Sequence, residues 1–305
     1  MSADVVTSVE IEGLKLFRRG KVREVYDLGE SLLFVATDRI SCFDVVLEEG
    51  VPDKGRVLTA ISRFWFNFFS NVPNHFLSTS VSALPPEVGR YLPVLAGRTM
   101  IVQKCEVYPI EWIVRGYLAG SGYKEYKKTG GIGGQFLPEG LVEGSKLPRS
   151  IVTPTTKAET GHDQPLTLEQ AVRRVPNGLG SRIVELSLEV YERAARYALE
   201  RGVILADTKF EWGVHAGKLL LVDEVLTPDS SRYWDRSMYE GQRELVSYDK
   251  QFVRDYLEHT GWNKAPPPPP LPDDILAGTT EKYRHLHKLL VGSSLDGHLT
   301  KRRRR

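Results

Sequence analysis

ADTKFEWGVHAGKLLLVDEVLTPDSSRYW, residues 206–234, decides how this chain reads. Asp207, Lys209 and Glu211 alternate with Thr208, Phe210 and Trp212, the period of a strand with two unlike faces. A turn follows at Ala216 and Gly217, and then Leu219, Leu220, Leu221 and Val222 run straight into Asp223 and Glu224. Ionised groups in so apolar a setting are costly unless they are paired or hold a cation. The stretch therefore predicts a hairpin presenting a metal and phosphate site. A two-residue turn would set Glu211 opposite Val222 and aim Asp223 at the other face, whereas a three-residue turn over 216–218 sets Glu211 opposite Asp223. The second register, or a bulge with the same effect, is expected, because two facing carboxylates make half of a Mg2+ site that phosphate oxygens and water complete.

The rest of the chain bounds this reading. With 305 residues there is length for two domains sharing a large core. The composition, 41% hydrophobic and 26% charged, is that of a globular protein. No apolar run approaches the ~20 residues of a membrane span, and the opening MSADVVTSVEIEG has no signal pattern. Cys42 and Cys105 make neither a disulfide framework nor a metal knuckle. A reducing, cytoplasmic location without membrane contact is expected. The net charge of +2 misleads: taking the five cations of residues 301–305 from the 41 basic residues leaves 36 against 39 acidic ones, a net of −3. The basic character lies in a tail, which argues against a nucleic-acid-binding face.

Residues 20–29 and 32–37 read as a strand pair, with Gly20, Lys21 and Arg23 able to lie over phosphates. Arg39 and Ser41, in a charge-rich turn, would suit a phosphate or carboxylate. Helical spacing of Val57, Leu58, Ile61, Phe64, Trp65, Phe68 and Phe69 predicts a helix over 56–69 whose aromatic stripe is core. A strand over 98–105 leads to a domain boundary near 106–109. Arg115 ends an apolar strand, and the turn Gly120, Ser121, Gly122 after it fits bidentate phosphate binding. Residues 130–150 read as loop, and 153–163 as a ligand-covering loop. His162 has no second ligand at metal spacing. Thr167 to Gln170 has capping-box spacing. Further helices are expected over 181–201, 247–259 and 280–290, the last delivered by the proline spacer 266–270.

Seven stretches, in order, resemble the SAICAR synthetase family of purine biosynthesis, in its longer single-function form: GKVREVYDLG, VATDRISCFD, VPDKGRVLTAISRFWF, IVRGYLAGSG, TPTTKAETGHD, ADTKFEWG and VDEVLTPDSSRYW. The resemblance implies an α+β fold with a kinase-like, ATP-grasp-like nucleotide cleft. Residues 1–107 would form a small β-rich ATP-lid domain, 108–265 a larger α/β substrate and metal domain, and 266–305 a Pro-rich linker, C-terminal helix and basic tail. It implies ATP-dependent ligation of L-aspartate to the carboxylate of carboxyaminoimidazole ribonucleotide (CAIR) through an acyl phosphate, with Mg2+. Among site residues it implies Lys21, Arg23 and Lys157 on the ATP phosphates, and Glu211 and Asp223 on Mg2+. Arg115, Ser121 and Arg232 would hold the CAIR phosphate, and Asp207 and Lys209, with Lys157, the reacting centre. Arg39, Ser41 and Lys54 would lie near the aspartate or ribonucleotide. Trp212 stands where the family has Phe, which adds an N–H that needs a partner. A monomer or small homo-oligomer is expected. The competing expectations are a small-molecule or lipid kinase using the same ATP and Mg2+ parts, and a binder of anionic surfaces or nucleic acid through the basic tail.

Overall fold

In the computed structural model, which describes residues 5–81, 84–157, 163–241 and 245–295, the strands pair into two large antiparallel sheets and two small two-stranded ones. The loop around His162 and the basic tail 301–305 lie outside the described residues. The first part of the chain supplies β1 (Lys15–Arg19), β2 (Arg23–Asp27), β3 (Ser31–Ala36), β4 (Arg39–Cys42), β5 (Val45–Gly50), α1 (Lys54–Phe68), β6 (Phe76–Ser78), α2 (Leu92–Leu95) and β7 (Thr99–Gln103). The middle supplies β8 (Glu106–Val107), β9 (Ile110–Tyr117), α3 (Gly120–Thr129), β10 (Gly131–Ile132), β11 (Gln135–Phe136) and β12 (Lys146–Thr156). After α4 (Leu168–Arg174) and α5 (Leu179–Leu199) come β13 (Val203–His215), β14 (Lys218–Val222), β15 (Ser231–Asp235), α6 (Arg236–Glu240), α7 (Gln251–His259) and α8 (Asp273–Val291).

The first sheet runs β1-β2-β3-β7-β6, and the second runs β12-β9-β13-β14 with β15 and β8 also paired to β13. Strand β13 is the axis of the second sheet. Its first half lies between β15 and β9, its second between β8 and β14. Residues directly opposite in antiparallel pairs share a face. Trp112, Val114, Phe210, Trp212 and Tyr233 thus face one way, into a core shared with α1, α5 and α8. The aromatic stripe of α1 is core, as its spacing predicts: Trp65 is fully buried and stacks on Phe69 at 5.7 Å. The added N–H of Trp212 donates to Ser187 Oγ at 3.0 Å. Thr167 forms both halves of the capping box with Gln170.

Four local expectations are corrected. Gly120, Ser121 and Gly122 are not a free turn but the first residues of α3. Strand β12 and the pair β10–β11 take up much of 130–156, which read as loop. Helix α7 starts at Gln251 rather than Ser247, because Ser247 bridges to Trp234 and the Asp249 carboxylate receives the Gln251 N–H at 2.8 Å. Helix α8 starts earlier than its apolar spacing suggests, behind Pro272 with Asp273 and Asp274 in its first turn, where acids complement the helix dipole.

Segments 73–75 and 104–108 stitch the two sheets together. His75 N–H donates to Leu221 O, Leu221 N–H to Pro73 O, and Tyr108 N–H to Trp212 O. The site lies where these stitches bring β2 against β14.

Candidate active site

The face of β13 that carries Asp207, Lys209 and Glu211 is charged at these three successive positions, and neighbouring strands contribute to it in register. Arg115 of β9 and Arg232 of β15 both lie opposite Asp207. Asp207 Oδ2 accepts from Arg115 Nη1 at 2.9 Å and from Arg232 Nη1 at 2.6 Å. Arg115 also donates to Thr153 Oγ1 at 2.9 Å and to Ser121 Oγ at 3.3 Å. A Cβ on Gly120 would come within 2.2 Å of Arg232 Nη2, and Gly120 has φ +53. Glycine is therefore what lets the guanidinium lie against the start of α3. Two cations share one carboxylate beside the start of a helix, where Gly120 N–H already donates to Glu143 Oε1 at 3.4 Å, a setting that suits an anion.

In the middle of β13, Lys209 Nζ donates to Glu111 Oε1 at 2.5 Å. Burial alone would lower the lysine's pKa, but Glu111, with Glu211 and Asp223, more than offsets it and holds the ammonium above its usual range. At the far end Glu211 pairs with Lys157 Nζ at 2.5 Å. Burial and the nearby Asp223 carboxylate push Glu211 up. Asp223 accepts from Arg23 Nη2 at 2.7 Å. Burial opposes its charge too, yet Arg23 and Lys157 hold it well below the usual carboxylate range.

The expected three-residue turn does not form. Glu211 pairs with Val222 and His215 with Lys218, so the turn is Ala216 and Gly217. Their φ values, +48 and +75, are those of the two-residue hairpin turn whose twist matches its strands. Regular alternation would then send Asp223 to the apolar side. Asp223 instead leaves the ladder at φ +67. The two carboxylates act on each other electrostatically and share Lys157. Asp223 comes within electrostatic range of Glu211 at a left-handed kink, not through the ladder.

The other expected residues divide. Lys21 is exposed and pairs with Asp44. Arg39 is absorbed in bracing: it donates to the carbonyls of Thr7, Gly20 and Lys21 and to Glu24. Ser41 lies in β4 opposite Val46, away from the charged face. Lys54 is fully buried and donates to Asp229 Oδ2 at 2.7 Å. The structure thus brings Arg23, Arg115, Ser121, Lys157, Asp207, Lys209, Glu211, Asp223 and Arg232 to one cleft, and leaves Arg39 and Ser41 behind it.

Sequence reasoning missed several neighbours. Glu111 and Arg115 flank Ile113 at alternate positions of an apolar strand, the same signal that singled out residues 207, 209 and 211. Asp229 receives Lys54, Lys250 at 3.1 Å and Tyr283 Oη at 2.9 Å. Beside Asp223, burial pushes the Glu224 carboxyl up. Two buried polar atoms in the cleft, Arg23 Nη1 and Thr155 Oγ1, lack partners among the described residues. A groove of about 500 Å³ between β12 and α5, lined by Tyr117, Pro148 and Leu199 with Lys146, Arg149, Glu192 and Arg196 among its other residues, lies on the other side of the sheet.

Residues 16–269 match the family model described as SAICAR synthetase. A phosphoribosylaminoimidazole-succinocarboxamide synthase of Syntrophobacter fumaroxidans is 49% identical over 298 residues, 97% of this chain and 99% of its own length. One from Thermodesulfovibrio yellowstonii is 49% identical over 289 residues, 94% of this chain and 99% of its own. Among solved structures, SAICAR-synthase from Saccharomyces cerevisiae in complex with SAICAR superposes with a TM-score of 0.86 at 42% identity, covering 95% of this chain and 99% of that one.

Proposed function

Since the chain belongs to the SAICAR synthetase family, we propose how its own residues carry out that family's reaction. The chain is an ATP-dependent carbon–nitrogen ligase of purine biosynthesis that joins CAIR to L-aspartate. A carboxylate is a poor electrophile because it would have to expel oxide. Transfer of the γ-phosphoryl group from ATP makes an acyl phosphate, and the aspartate amine then displaces phosphate. The protein's part is to position these groups and neutralise their charge.

The single observation that supports the residue assignment is the order of groups along β13. The clasp of Arg115 and Arg232 on Asp207, with Ser121 and the start of α3, holds the CAIR phosphate. Asp207 acts by fixing the two guanidiniums. At the next position on this face Lys209 meets the imidazole carboxylate that reacts. At the last, Glu211 and Asp223 meet the ATP phosphates, which Arg23, Lys157 and the exposed Lys21 neutralise. The partnerless Arg23 Nη1 suits a phosphate oxygen. The first sheet, which carries Lys21 and Arg23, acts as the lid.

Mg2+ fits the residues present. Among the described residues no three His, Cys, Asp or Glu side chains form a metal cage, but Mg2+ is commonly bound by one or two carboxylates plus substrate phosphates. Glu211 and Asp223 supply two hard oxygen donors whose mutual repulsion a cation would relieve. When bound, the metal would draw charge from the transferring phosphoryl group. The two thiols are free, in keeping with a cytoplasmic enzyme.

The deciding assay is phosphate release by the purified chain with ATP and Mg2+. Release is expected only when CAIR and L-aspartate are both present. ADP formed with a hydroxyl acceptor, without free phosphate, would overturn the reading.

A further inference from the structure

Asp223, at φ +67, is followed three residues later by Leu226 at φ +54. The left-handed region is unfavourable for a residue with a Cβ, so both positions must be held by their surroundings. Each has its carbonyl oxygen taken by a buried side chain. Tyr233 Oη donates to Leu226 O at 2.7 Å, and His75 Nε2 lies 3.0 Å from Asp223 O. A carbonyl only accepts, so His75 carries its proton on Nε2 and donates.

His75 is built for this bond. It is 2% exposed, with its ring edge-on to Phe34 at 5.7 Å and against Phe66 at 5.5 Å. Its main chain is fixed on both sides: the N–H donates to Leu221 O at 3.1 Å, and the carbonyl accepts from Gln103 N–H at 2.7 Å. The same segment that joins the two sheets therefore delivers a rigid donor to the one backbone kink that the carboxylate pair requires.

We propose that His75 is a positioning residue for the divalent-cation site. By pinning the Asp223 carbonyl it holds the left-handed turn that swings the Asp223 carboxylate out of the β14 alternation and toward Glu211. The inference rests on the metal role assigned to Asp223 and Glu211, and its test separates the two. It touches neither substrate nor metal, so its effect is confined to the metal-linked step.

The test compares the affinity of the full chain for ADP with and without Mn2+, by calorimetry. The tightening that Mn2+ gives the wild type is expected to fall about tenfold in His75→Phe, the scale on which an outer-shell partner acts. ADP affinity without metal stays unchanged. His75→Gln, whose amide N–H reaches a similar point, restores most of the Mn2+ effect. His75→Leu, which also lacks the donor, serves if the Phe ring does not fit. Asp223→Asn loses the Mn2+ effect altogether. If Asp223→Asn keeps it, the metal reading fails and the role of His75 with it. If Asp223→Asn loses it while His75→Phe keeps it, or the Phe and Gln variants lose it equally, His75 alone is overturned.

Discussion

Replacing Asp207 by Asn tests the clasp that Arg115 and Arg232 make on its carboxylate. The substitution keeps the side chain's shape and removes the one negative charge that Arg115 and Arg232 share, at 2.9 and 2.6 Å from the same oxygen. Breaking a buried ion pair by removing one partner costs about 3–5 kcal/mol. The lower end applies here, about 3 kcal/mol, because the Arg115 side chain is 4% exposed but that of Arg232 is 25% exposed and can turn to water. Two guanidiniums with no carboxylate between them should also bind an anion more tightly than the wild type does. Phosphate at a hundred times its dissociation constant would return about 2.7 kcal/mol. Urea unfolding of the full chain, at constant ionic strength in chloride and then across a phosphate titration, reads both effects. The variant should be less stable in chloride and regain most of the difference in phosphate, with a larger phosphate response than the wild type. Its KM for CAIR should rise. Equal stability in chloride, or equal phosphate responses, would refute the reasoning.

Asp223→Asn should abolish turnover while the far-ultraviolet circular dichroism stays that of the wild type; a near-normal rate would remove Asp223 from the metal site. Gly120→Ala places a Cβ 2.2 Å from Arg232 Nη2 at φ +53, and should raise the KM for CAIR much as Arg232→Ala does. An effect of either variant confined to the KM for ATP would move Arg232 to the other pocket. Tyr283→Phe removes a donor that, after burial has opposed the charge and Lys250 and Lys54 have restored it, helps to hold Asp229 far below the usual carboxylate range. A depressed carboxylate stabilises the fold above its unfolded pKa of 3.8 and loses that contribution as pH falls through its folded value. The variant should therefore be about 2 kcal/mol less stable at neutral pH, and the gap should narrow in denaturation curves taken below pH ~3.8. A gap that does not change with pH would separate Tyr283 from the ionisation of Asp229.

The charged face was legible because strand alternation is local. Asp207, Lys209 and Glu211 announce themselves against Thr208, Phe210 and Trp212, and the same test applied to Glu111 and Arg115 would have found their shared face. The hairpin register was not legible from the need for facing carboxylates. Turn geometry chose the pairing, and a left-handed residue fixed by a histidine almost 150 positions away then turned Asp223. Arg39 shows the opposite limit. Its position in a charge-rich turn suits a ligand equally well, and only the folded chain reveals four internal acceptors around it. The Asp229 cluster draws on α1, the start of α7 and α8, three elements whose convergence no periodicity encodes. The helices were legible through their apolar spacing, while their ends were set by local features such as the Asp249 carboxylate that receives the Gln251 N–H and Pro272 ahead of α8.

Strand β13 works as a ruler. Its three charged side chains stand at successive same-face positions, roughly 6.7 Å apart. The separation between the Asp207 end and the Glu211 end is thus set by backbone pitch rather than by any side chain. Substitutions along the strand can be absorbed one at a time, but a change of length cannot. Inserting or deleting a single residue between 207 and 211 would barely alter composition or hydropathy. It would nevertheless rotate everything beyond it by half a turn of the pleat, driving Glu211 toward α5 and Trp212 into the charged cleft. Tolerance to mutation in this stretch should therefore be sharply unequal, with indels lethal to activity even where many single exchanges survive.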